Sequence, residues 1–282
     1  MKGNLTVEDH NRDVAGLTYV YPVVSRRAGG VSVGINLNPN NACNWHCVYC
    51  QVPDLQRGRA PQIDVDRLER ELAHMLHDIR DGDFMAVHVD EALRRLCDIA
   101  FSGNGEPTSA AGFADIVARV GAVRERFGFG DEVPLRLITN GSLVGQEGVL
   151  EGIRRLAGFG GEVWFKVDAV SVEDIRRING VERDAAHMAR QLARCAGQCP
   201  TWVQTCLFGW DGMPPDEAAI EAYLAFLRRA AADGVRGVLL YGVARPSLQP
   251  EAGRVSRLSR EWLEGVGRRI VNETGLTAGV SP

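Results

Sequence analysis

Six short apolar runs recur along the chain and predict six β-strands. Most of the segments between them repeat an apolar residue every three or four positions, which is the period of an amphipathic helix. In residues 65–79, for example, Leu68, Leu72 and Leu76 share one helical face. The predicted strands cover residues 31–37, 96–102, 135–139, 163–168, 201–208 and 235–243. The predicted helices cover residues 65–79, 113–127, 149–159, 172–178, 184–196 and 215–232.

The alternation of strands and helices predicts the fold class. The strand runs lie roughly 30 to 65 residues apart, and each gap can hold one crossover helix with its loops, as in a βα unit. Six such units in series predict an α/β fold with a parallel sheet, curved into a partial (β/α)6 TIM-like barrel. We expect a single domain over residues 1–282, with a core spanning residues 20–250 and embellishments at residues 50–96 and after residue 243.

Polar or glycine-rich segments follow the ends of the predicted strands. In parallel α/β folds the chemistry is located at the carboxyl ends of the strands, so these segments should meet at one rim. The rim is therefore the expected functional site. The segments are residues 43–50, 103–108, 140–142, 166–168, 204–205 and 241–246.

Composition narrows the class of protein. The net charge of −4 gives no overall basic footprint for nucleic acid, although it leaves room for a local basic patch. The sequence contains no apolar stretch of about 18 residues, so it predicts no membrane-spanning helix. The first residues are polar and lack the apolar core of a signal peptide, so we expect a cytoplasmic protein. Seven cysteines, an odd number, argue against a secreted disulfide framework and favour metal or redox chemistry.

Three of the seven cysteines, Cys43, Cys47 and Cys50, fall within eight positions after the first predicted strand. Thiolates bind zinc and iron–sulfur clusters. A structural zinc ion needs a fourth ligand, and His46 is a poor one because adjacent side chains rarely converge on one ion. Three thiolates can instead hold three irons of a [4Fe–4S] cluster and leave the fourth iron open. The spacing favours the cluster over zinc or unligated thiols.

The cysteine spacing C-x3-C-x2-C, with Tyr49 just before the third cysteine, resembles the radical S-adenosylmethionine (SAM) superfamily over residues 20–250. The strings SRRAGGVSVGINLNPNNACNWHCVYCQ, FSGNGEPTS, LITNGSL and YGVARPS are similar to its wyosine-synthase-like iron–sulfur oxidoreductase subgroup. The resemblance implies that Cys43, Cys47 and Cys50 hold a [4Fe–4S] cluster whose open iron binds SAM. It further implies that one electron, from a donor such as flavodoxin or ferredoxin, cleaves SAM to a 5′-deoxyadenosyl radical. That radical then abstracts hydrogen from a substrate.

The resemblance also implies a site for the SAM amino group. The segment Gly103-Asn104-Gly105-Glu106-Pro107 matches the glycine-glycine-glutamate motif of the superfamily. Gly105 allows a close backbone approach, and Glu106 can accept a charge-assisted hydrogen bond from an ammonium group. The alternative is a simple turn with a solvated glutamate.

The next two strand ends supply further SAM contacts by the same resemblance. Asn140 would hydrogen-bond SAM or substrate, unless it only forms an Asn-Gly turn. Lys166 and Asp168 project to the same face of their strand, so Lys166 suits the SAM carboxylate and Asp168 a hydroxyl group. Their alternative is a mutual ion pair inside the barrel.

The last predicted contacts surround the nucleoside part of SAM. The resemblance places Gln204 near the ribose, and Tyr49 and the backbone of Tyr241–Val243 (Tyr241 and Val243 in particular) near the adenine. Either tyrosine can alternatively belong to the core.

Two further groups of residues leave alternatives open. Arg26, Arg27 and Arg245 suit a phosphate or carboxylate clamp, because arginine forks match these anions, or they form ordinary surface charges. Cys195, Cys199 and Cys206 can form a second cluster site or be buried thiols. The remaining histidines, His10, His74, His77, His88 and His187, show no ligand spacing.

The sequence does not identify the substrate. The resemblance to the subgroup supports RNA base modification as the reaction, but the acidic net charge opposes it. The archaeal tRNA-modifying relatives also carry extra N-terminal cysteines, whereas this sequence has no cysteine before Cys43. Activation of a partner protein, as by glycyl-radical activases, is the second candidate. A non-enzymatic iron–sulfur or zinc protein is the third, although it gives no reason for the ammonium acceptor at Glu106.

Overall fold

The computed structural model describes Leu5, residues 16–25 and residues 29–282. Its strands are β1 Val20–Ser25, β2 Gly30–Ile35, β3 Ala42–Cys43, β4 Gln56–Arg57, β5 Leu96–Phe101, β6 Leu135–Thr139, β7 Glu162–Lys166, β8 Thr201–Leu207, β9 Gly209–Trp210, β10 Gly237–Gly242, β11 Val255–Ser256 and β12 Thr277–Ser281. Its α-helices are α1 Val65–Asp81, α2 Phe84–His88, α3 Phe113–Arg126, α4 Glu147–Gly158, α5 Val172–Asn179, α6 Ala185–Ala196, α7 Glu217–Ala232 and α8 Arg260–Thr274.

One curled sheet organises the described residues into a partial TIM-like barrel. Its strand order is β1-β2-β5-β6-β7-β8-β10-β12. The six central strands from β2 to β10 are the six predicted ones, and these six run parallel to one another. The predicted α/β class and partial barrel are confirmed. The sheet nevertheless has a parallel strand at one edge, β12, and an antiparallel strand at the other, β1, that we did not predict.

The two additional edge strands have weak sequence signals. Pro22 interrupts the apolar run of β1, and proline normally argues against a central strand because it cannot donate to the ladder. At the sheet edge this restriction is relaxed, and Pro22 pairs with Val33. Strand β12 is a short segment containing Gly279, which lowers strand propensity.

The six predicted helices are present, with ends within about two residues of the prediction. Side-chain caps explain where several of them begin, because the Asp or Ser before the helix accepts a hydrogen bond from an N–H of its first turn. Helices α2 and α8 lie in the two segments expected to be embellishments. None of the described helices is long and apolar enough to cross a membrane. The capping residues are Asp64, Ser171, Asp184, Asp216 and Ser259.

The two faces of the sheet have different chemistry, because successive strand residues point to opposite sides. One face packs under the helices and forms the apolar core. The other lines a cavity and is mixed in polarity. Core residues include Val33, Ile99, Leu137, Phe165, Val203 and Val238. Cavity residues include Ser32, Ala100, Ile138, Trp164, Gln204 and Tyr241.

Candidate functional site

The cavity inside the curled sheet opens at the carboxyl ends of the strands and has a volume of about 350 Å³. That volume lies within the range of about 300–1,000 Å³ that is usual for cofactor and ligand sites. Of the thirteen predicted site residues, all but Asp168 line it. They are Cys43, Cys47, Tyr49, Cys50, Gly103, Gly105, Glu106, Asn140, Lys166, Gln204, Tyr241 and Val243.

The loop that carries the three cysteines, residues 41–52 (the cysteine loop), is held on one side by the end of α5. The N–H of His46 donates to the carbonyl of Asn179 at 2.9 Å, and the N–H of Val48 donates to that of Ile178 at 2.9 Å. The side-chain amide of Asn179 also donates to Cys47 Sγ at 3.3 Å. The carbonyl end of a helix therefore supplies the acceptors that an irregular loop needs.

A second segment, residues 247–249, holds the other side of the cysteine loop. The Ser247 hydroxyl donates to the carbonyl of Val48 at 2.7 Å, and the N–H of Leu248 donates to that of Cys50 at 2.9 Å. The Gln249 side chain donates to the carbonyls of Cys50 and Val52 at 3.1 and 2.9 Å. Since buried carbonyls need partners, this clamp defines the path of the loop after its last cysteine.

Burial controls the protonation of two of the cysteines. It raises the pKa of Cys43 to about 11 and that of Cys47 to about 12. Both are therefore neutral thiols near pH 7 when no metal is bound, and metal binding would displace their protons.

The arrangement of donors does not suit a single metal ion. Among the described residues, no three His, Cys, Asp or Glu side chains are close enough together to hold one ion. His46, which we expected to be a poor fourth ligand for zinc, places Nε2 3.1 Å from Glu251 Oε2. Cys43, Cys47 and Cys50 nevertheless all border the same cavity, and thiolates are the usual ligands of iron–sulfur clusters.

The Gly103–Glu106 turn packs tightly against the cysteine loop. A Cβ on Gly105 would lie 2.1 Å from the carbonyl oxygen of Ala42 and 2.7 Å from the Asn38 side chain. Gly103 has a φ of 140°, where a side chain is strained, and its Cβ would lie 2.5 Å from Asn36 Oδ1. The close approach that Gly105 permits is therefore an approach of protein backbone, in addition to any approach of a ligand.

Glu106 is buried and hydrogen-bonded, so the alternative of a solvated turn glutamate is wrong. It is 2% exposed. One oxygen accepts from the hydroxyls of Thr108 and Thr139, both at 2.6 Å, and the other accepts from the N–H of Asn140 at 2.7 Å. Burial raises the pKa of Glu106, and these hydrogen bonds oppose the rise.

Asn140 connects the third predicted strand end to the cysteine loop. Its side-chain N–H donates to Asn44 Oδ1 at 2.9 Å, and its Oδ1 accepts from the N–H and hydroxyl of Ser142 at 3.0 and 2.7 Å. The side chain thus stabilises the loop and also borders the cavity.

Asp168 lies behind the cavity wall. Its Oδ2 accepts from the Tyr49 hydroxyl at 2.5 Å and from the Asn179 amide at 2.8 Å, while its Oδ1 accepts from the N–H of Cys206 at 3.0 Å. Asp168 also forms the ion pair with Lys166 that the sequence analysis gave as the alternative, since Lys166 Nζ lies 3.9 Å from Oδ2. Asp168 therefore positions the cysteine loop from within the protein.

Lys166 presents a cation to the cavity between two tyrosines. Its Nζ donates to the Tyr241 hydroxyl at 3.1 Å and lies 5.0 Å from the centre of the Tyr49 ring. Burial opposes the charge, but the Asp168 carboxylate, together with the neighbouring Tyr241, Cys47 and Cys206, outweighs burial and raises the pKa of Lys166 well above its ordinary value. Lys166 is therefore a cation over the whole physiological range.

Three polar side chains on the cavity wall have unused hydrogen-bonding groups. Gln204 is 2% exposed and its side chain has no hydrogen bond to any residue that the structure describes. Asn104 Oδ1 and Trp45 Nε1 are buried, again without a partner in the described part of the chain. Buried polar groups are normally paired, so these atoms fit a polar ligand in the cavity. Nothing in the sequence pattern points to Trp45 or to the Asn104 side chain, because only their burial identifies them.

The floor of the cavity carries a charged network that the sequence analysis also missed. Arg136 contacts Asp98, donates to Glu162 at 2.7 Å and packs its guanidinium 4.8 Å from the centre of the Trp164 ring. Adjacent strands of a parallel sheet bring these residues together, although they are far apart in the sequence.

The other arginines and cysteines that the sequence analysis considered lie in different parts of the structure. Arg245 borders the cavity and donates to Gln51 Oε1 at 3.3 Å, whereas Arg26 and Arg27 lie outside the described residues. Cys195 and Cys199 belong to the main core, while Cys206 lines the cavity on the opposite face of the sheet. These three cysteines do not form one ligand set.

Comparison with known proteins agrees with this geometry. A sequence model of the Radical SAM superfamily matches residues 37–218. A radical SAM methyltransferase from Sphaerobacter thermophilus has a similar structure, with a TM-score of 0.64 at 16% sequence identity, covering 95% of this chain and 70% of that one. At this identity the likeness shows the fold alone.

Two curated proteins are similar in sequence over part of their length. The UPF0026 protein MJ1312 of Methanocaldococcus jannaschii is 32% identical over 168 residues, which are 58% of this chain and 44% of that protein. The GTPase Obg of Brachyspira hyodysenteriae is 29% identical over 126 residues, which are 44% of this chain and 15% of that protein. The chain therefore spans less than half the length of either relative.

Proposed function

This chain belongs to the radical SAM superfamily, and from that membership we propose that it is an enzyme binding one [4Fe–4S] cluster and one SAM molecule in the cavity described above. Enzymes of this superfamily use both groups. Together they supply a 5′-deoxyadenosyl radical for hydrogen abstraction, so the hard chemistry belongs to the cofactors. The protein binds them, orients them and excludes water.

The single observation that carries the proposal is the placement of the cysteine loop. Cys43, Cys47 and Cys50 border the same cavity as the buried Glu106 and the cationic Lys166. A structural metal clip gives no reason for an adjoining cavity with unpaired polar groups. This arrangement therefore supports cofactor binding over the zinc and electron-transfer alternatives.

In this proposal, each charged or polar residue binds the part of SAM that has the complementary charge or hydrogen-bonding group. Asn104 Oδ1 has no partner among the residues that the structure describes, and Glu106 can accept further hydrogen bonds, so both suit the SAM ammonium group. Lys166 suits the SAM carboxylate. Gln204 can pair with a hydroxyl or amide group, and the Tyr49 and Tyr241 side chains and the Val243 backbone form an apolar and aromatic wall for the adenine.

Asp168 has a different role in our proposal from the one first expected. Because both of its oxygens accept hydrogen bonds from the protein, it is a positioning residue that holds Tyr49 and Asn179 beside Cys47. The substrate, whether an RNA base or a partner protein, and the wyosine-like subgroup stay predictions.

The test is anaerobic reconstitution with iron and sulfide, followed by dithionite and SAM and measurement of 5′-deoxyadenosine. We expect product from the native sequence and none from Cys47→Ala. Cys97→Ala is the matched control, because Cys97 is a partly exposed thiol outside the cysteine loop. A protein that binds one zinc ion and no iron–sulfur cluster would refute the proposal.

A further inference from the structure

The cavity extends well below the level of the cysteine loop, towards the amino ends of the strands. Asn140 borders it just after β6 ends, and Arg136 borders it four residues earlier on the same strand. Because a strand rises about 3.3 Å per residue, about 13 Å of strand separates the two. The residues assigned to the cluster and to the amino and carboxylate groups of SAM all lie at the upper level. We call the lower level, lined by Ser32, Asp98, Arg136, Ile138, Trp164 and Gln204, the lower chamber.

The lower chamber carries hydrogen-bonding groups that the described part of the protein leaves unused. Gln204 is 2% exposed, and its side chain bonds to no described residue. Arg136 uses Nε for Glu162 and Nη1 for Asp98, whereas its Nη2 makes no hydrogen bond within the described residues. Asp98 accepts from Ser32 and Arg136, and its carboxylate has lone pairs left for further donors. Since buried polar groups are normally paired, this chamber suits a ligand that both donates and accepts hydrogen bonds.

The charges at the bottom of the lower chamber favour a neutral ligand group. Among the described residues, the Arg136 guanidinium is offset by two carboxylates, those of Asp98 and Glu162. A phosphate or carboxylate would be repelled by these two carboxylates, and a cation would be repelled by the guanidinium between them. A neutral group that donates to Asp98 and accepts from Arg136 avoids both repulsions. An amide has such a donor and acceptor side by side.

The walls between the bottom of the chamber and the rim are apolar and aromatic. Ile138 and Trp164 are cross-strand neighbours on β6 and β7, and both line the cavity. On β1, the Tyr21 ring lies over Gly34, where a Cβ would come within 2.1 Å of it, so this ring also forms part of the wall. Pockets of this kind bind the apolar part of a ligand through their walls and orient it through a few polar groups.

We propose that the lower chamber binds the far end of a small-molecule substrate, and that this end is a neutral amide-type group on an apolar or aromatic section. The inference rests on the proposed function, because SAM at the rim leaves only the lower chamber for this group. Arg136 Nη2 would donate to the amide oxygen, Asp98 would accept from the amide N–H, and Gln204 would pair with a further polar atom. A free small molecule can lie beneath SAM, about 13 Å of strand from the rim, more readily than a group attached to RNA or to a folded protein.

The test uses three probes that share one ring, namely benzamide, benzoate and benzylamine. Their binding to the reconstituted protein at saturating SAM is measured by saturation-transfer NMR titration. We expect benzamide to bind roughly tenfold more tightly than either charged probe. Arg136→Lys keeps the charge but removes Nη2, and Gln204→Leu removes an amide without a partner in the described chain. Each should weaken benzamide binding roughly fivefold or more.

Arg119→Lys is the matched control, because Arg119 pairs with Asp66 and Glu69 on the surface, and it should bind benzamide as the native sequence does. Gln204→Leu keeps the test decisive if Arg136→Lys fails to fold, since it breaks no hydrogen bond between described residues.

Four results would overturn the inference. They are no binding of benzamide, tighter or equal binding of a charged probe, unchanged benzamide affinity in Gln204→Leu, and displacement of benzamide by bulk tRNA. The last would assign the chamber to an RNA base. Failure of the proposed function is distinguishable, since it would appear as absent iron and sulfide or absent SAM binding before any probe is added.

Discussion

Replacing Asp168 with alanine removes the buried acceptor that joins four parts of the site. The Tyr49 hydroxyl, the Asn179 amide and the N–H of Cys206 would each lose a partner, and Lys166 would keep a charge without its carboxylate. Breaking a buried ion pair from one side costs about 3–5 kcal/mol, and each orphaned donor adds about 1–3 kcal/mol when nothing replaces its partner. These costs overlap because the groups are neighbours. We expect Asp168→Ala to lower the free energy of unfolding by roughly 3–5 kcal/mol.

The assay is urea unfolding of the cluster-free protein, followed by circular dichroism. Asp168→Asn keeps the shape and one acceptor oxygen, so its loss should be smaller. Asp66→Ala is the matched control, because Asp66 pairs with Arg119 but its side chain is 71% exposed, and its loss should stay below about 1 kcal/mol. An Asp168→Ala protein as stable as Asp66→Ala, with full iron uptake, would refute the role of Asp168 as the residue that positions the cysteine loop.

Three further predictions concern the residues around the cysteine loop. Gly105→Ala places a methyl group 2.1 Å from a loop carbonyl, so it should destabilise the protein by at least about 1–3 kcal/mol and reduce its iron content. Gly148→Ala, which has open space around its Cβ, should have neither effect. Equal thermal denaturation curves for the two variants would contradict this prediction. Gln249→Ala removes two hydrogen bonds to loop carbonyls, so we expect faster loss of iron to a chelator, and an unchanged rate would argue against the clamp. Asn104→Ala removes a buried acceptor that has no partner within the described chain, and it should weaken SAM binding to the reconstituted protein roughly tenfold or more in equilibrium dialysis. An unchanged affinity would remove Asn104 from the site.

The central fold could be predicted because its signals are local. Apolar runs of strand length alternate with helical periodicity, and capping residues such as Asp184 and Asp216 mark where helices begin. The edges could not be predicted in the same way. Pro22 is tolerated in β1 only because no strand lies beyond it in the described sheet, and a residue's position in a sheet is a tertiary property.

Which residues belong to the site could be predicted from the sequence better than what each of them contacts there. Strand-end geometry brings twelve of the thirteen predicted residues to one cavity, since parallel strands end at one rim. Asp168 differs because its partners, Tyr49, Asn179 and Cys206, come from three other parts of the chain. Whether a carboxylate faces a ligand or a protein donor depends on such long-range contacts, and strand alternation cannot distinguish them.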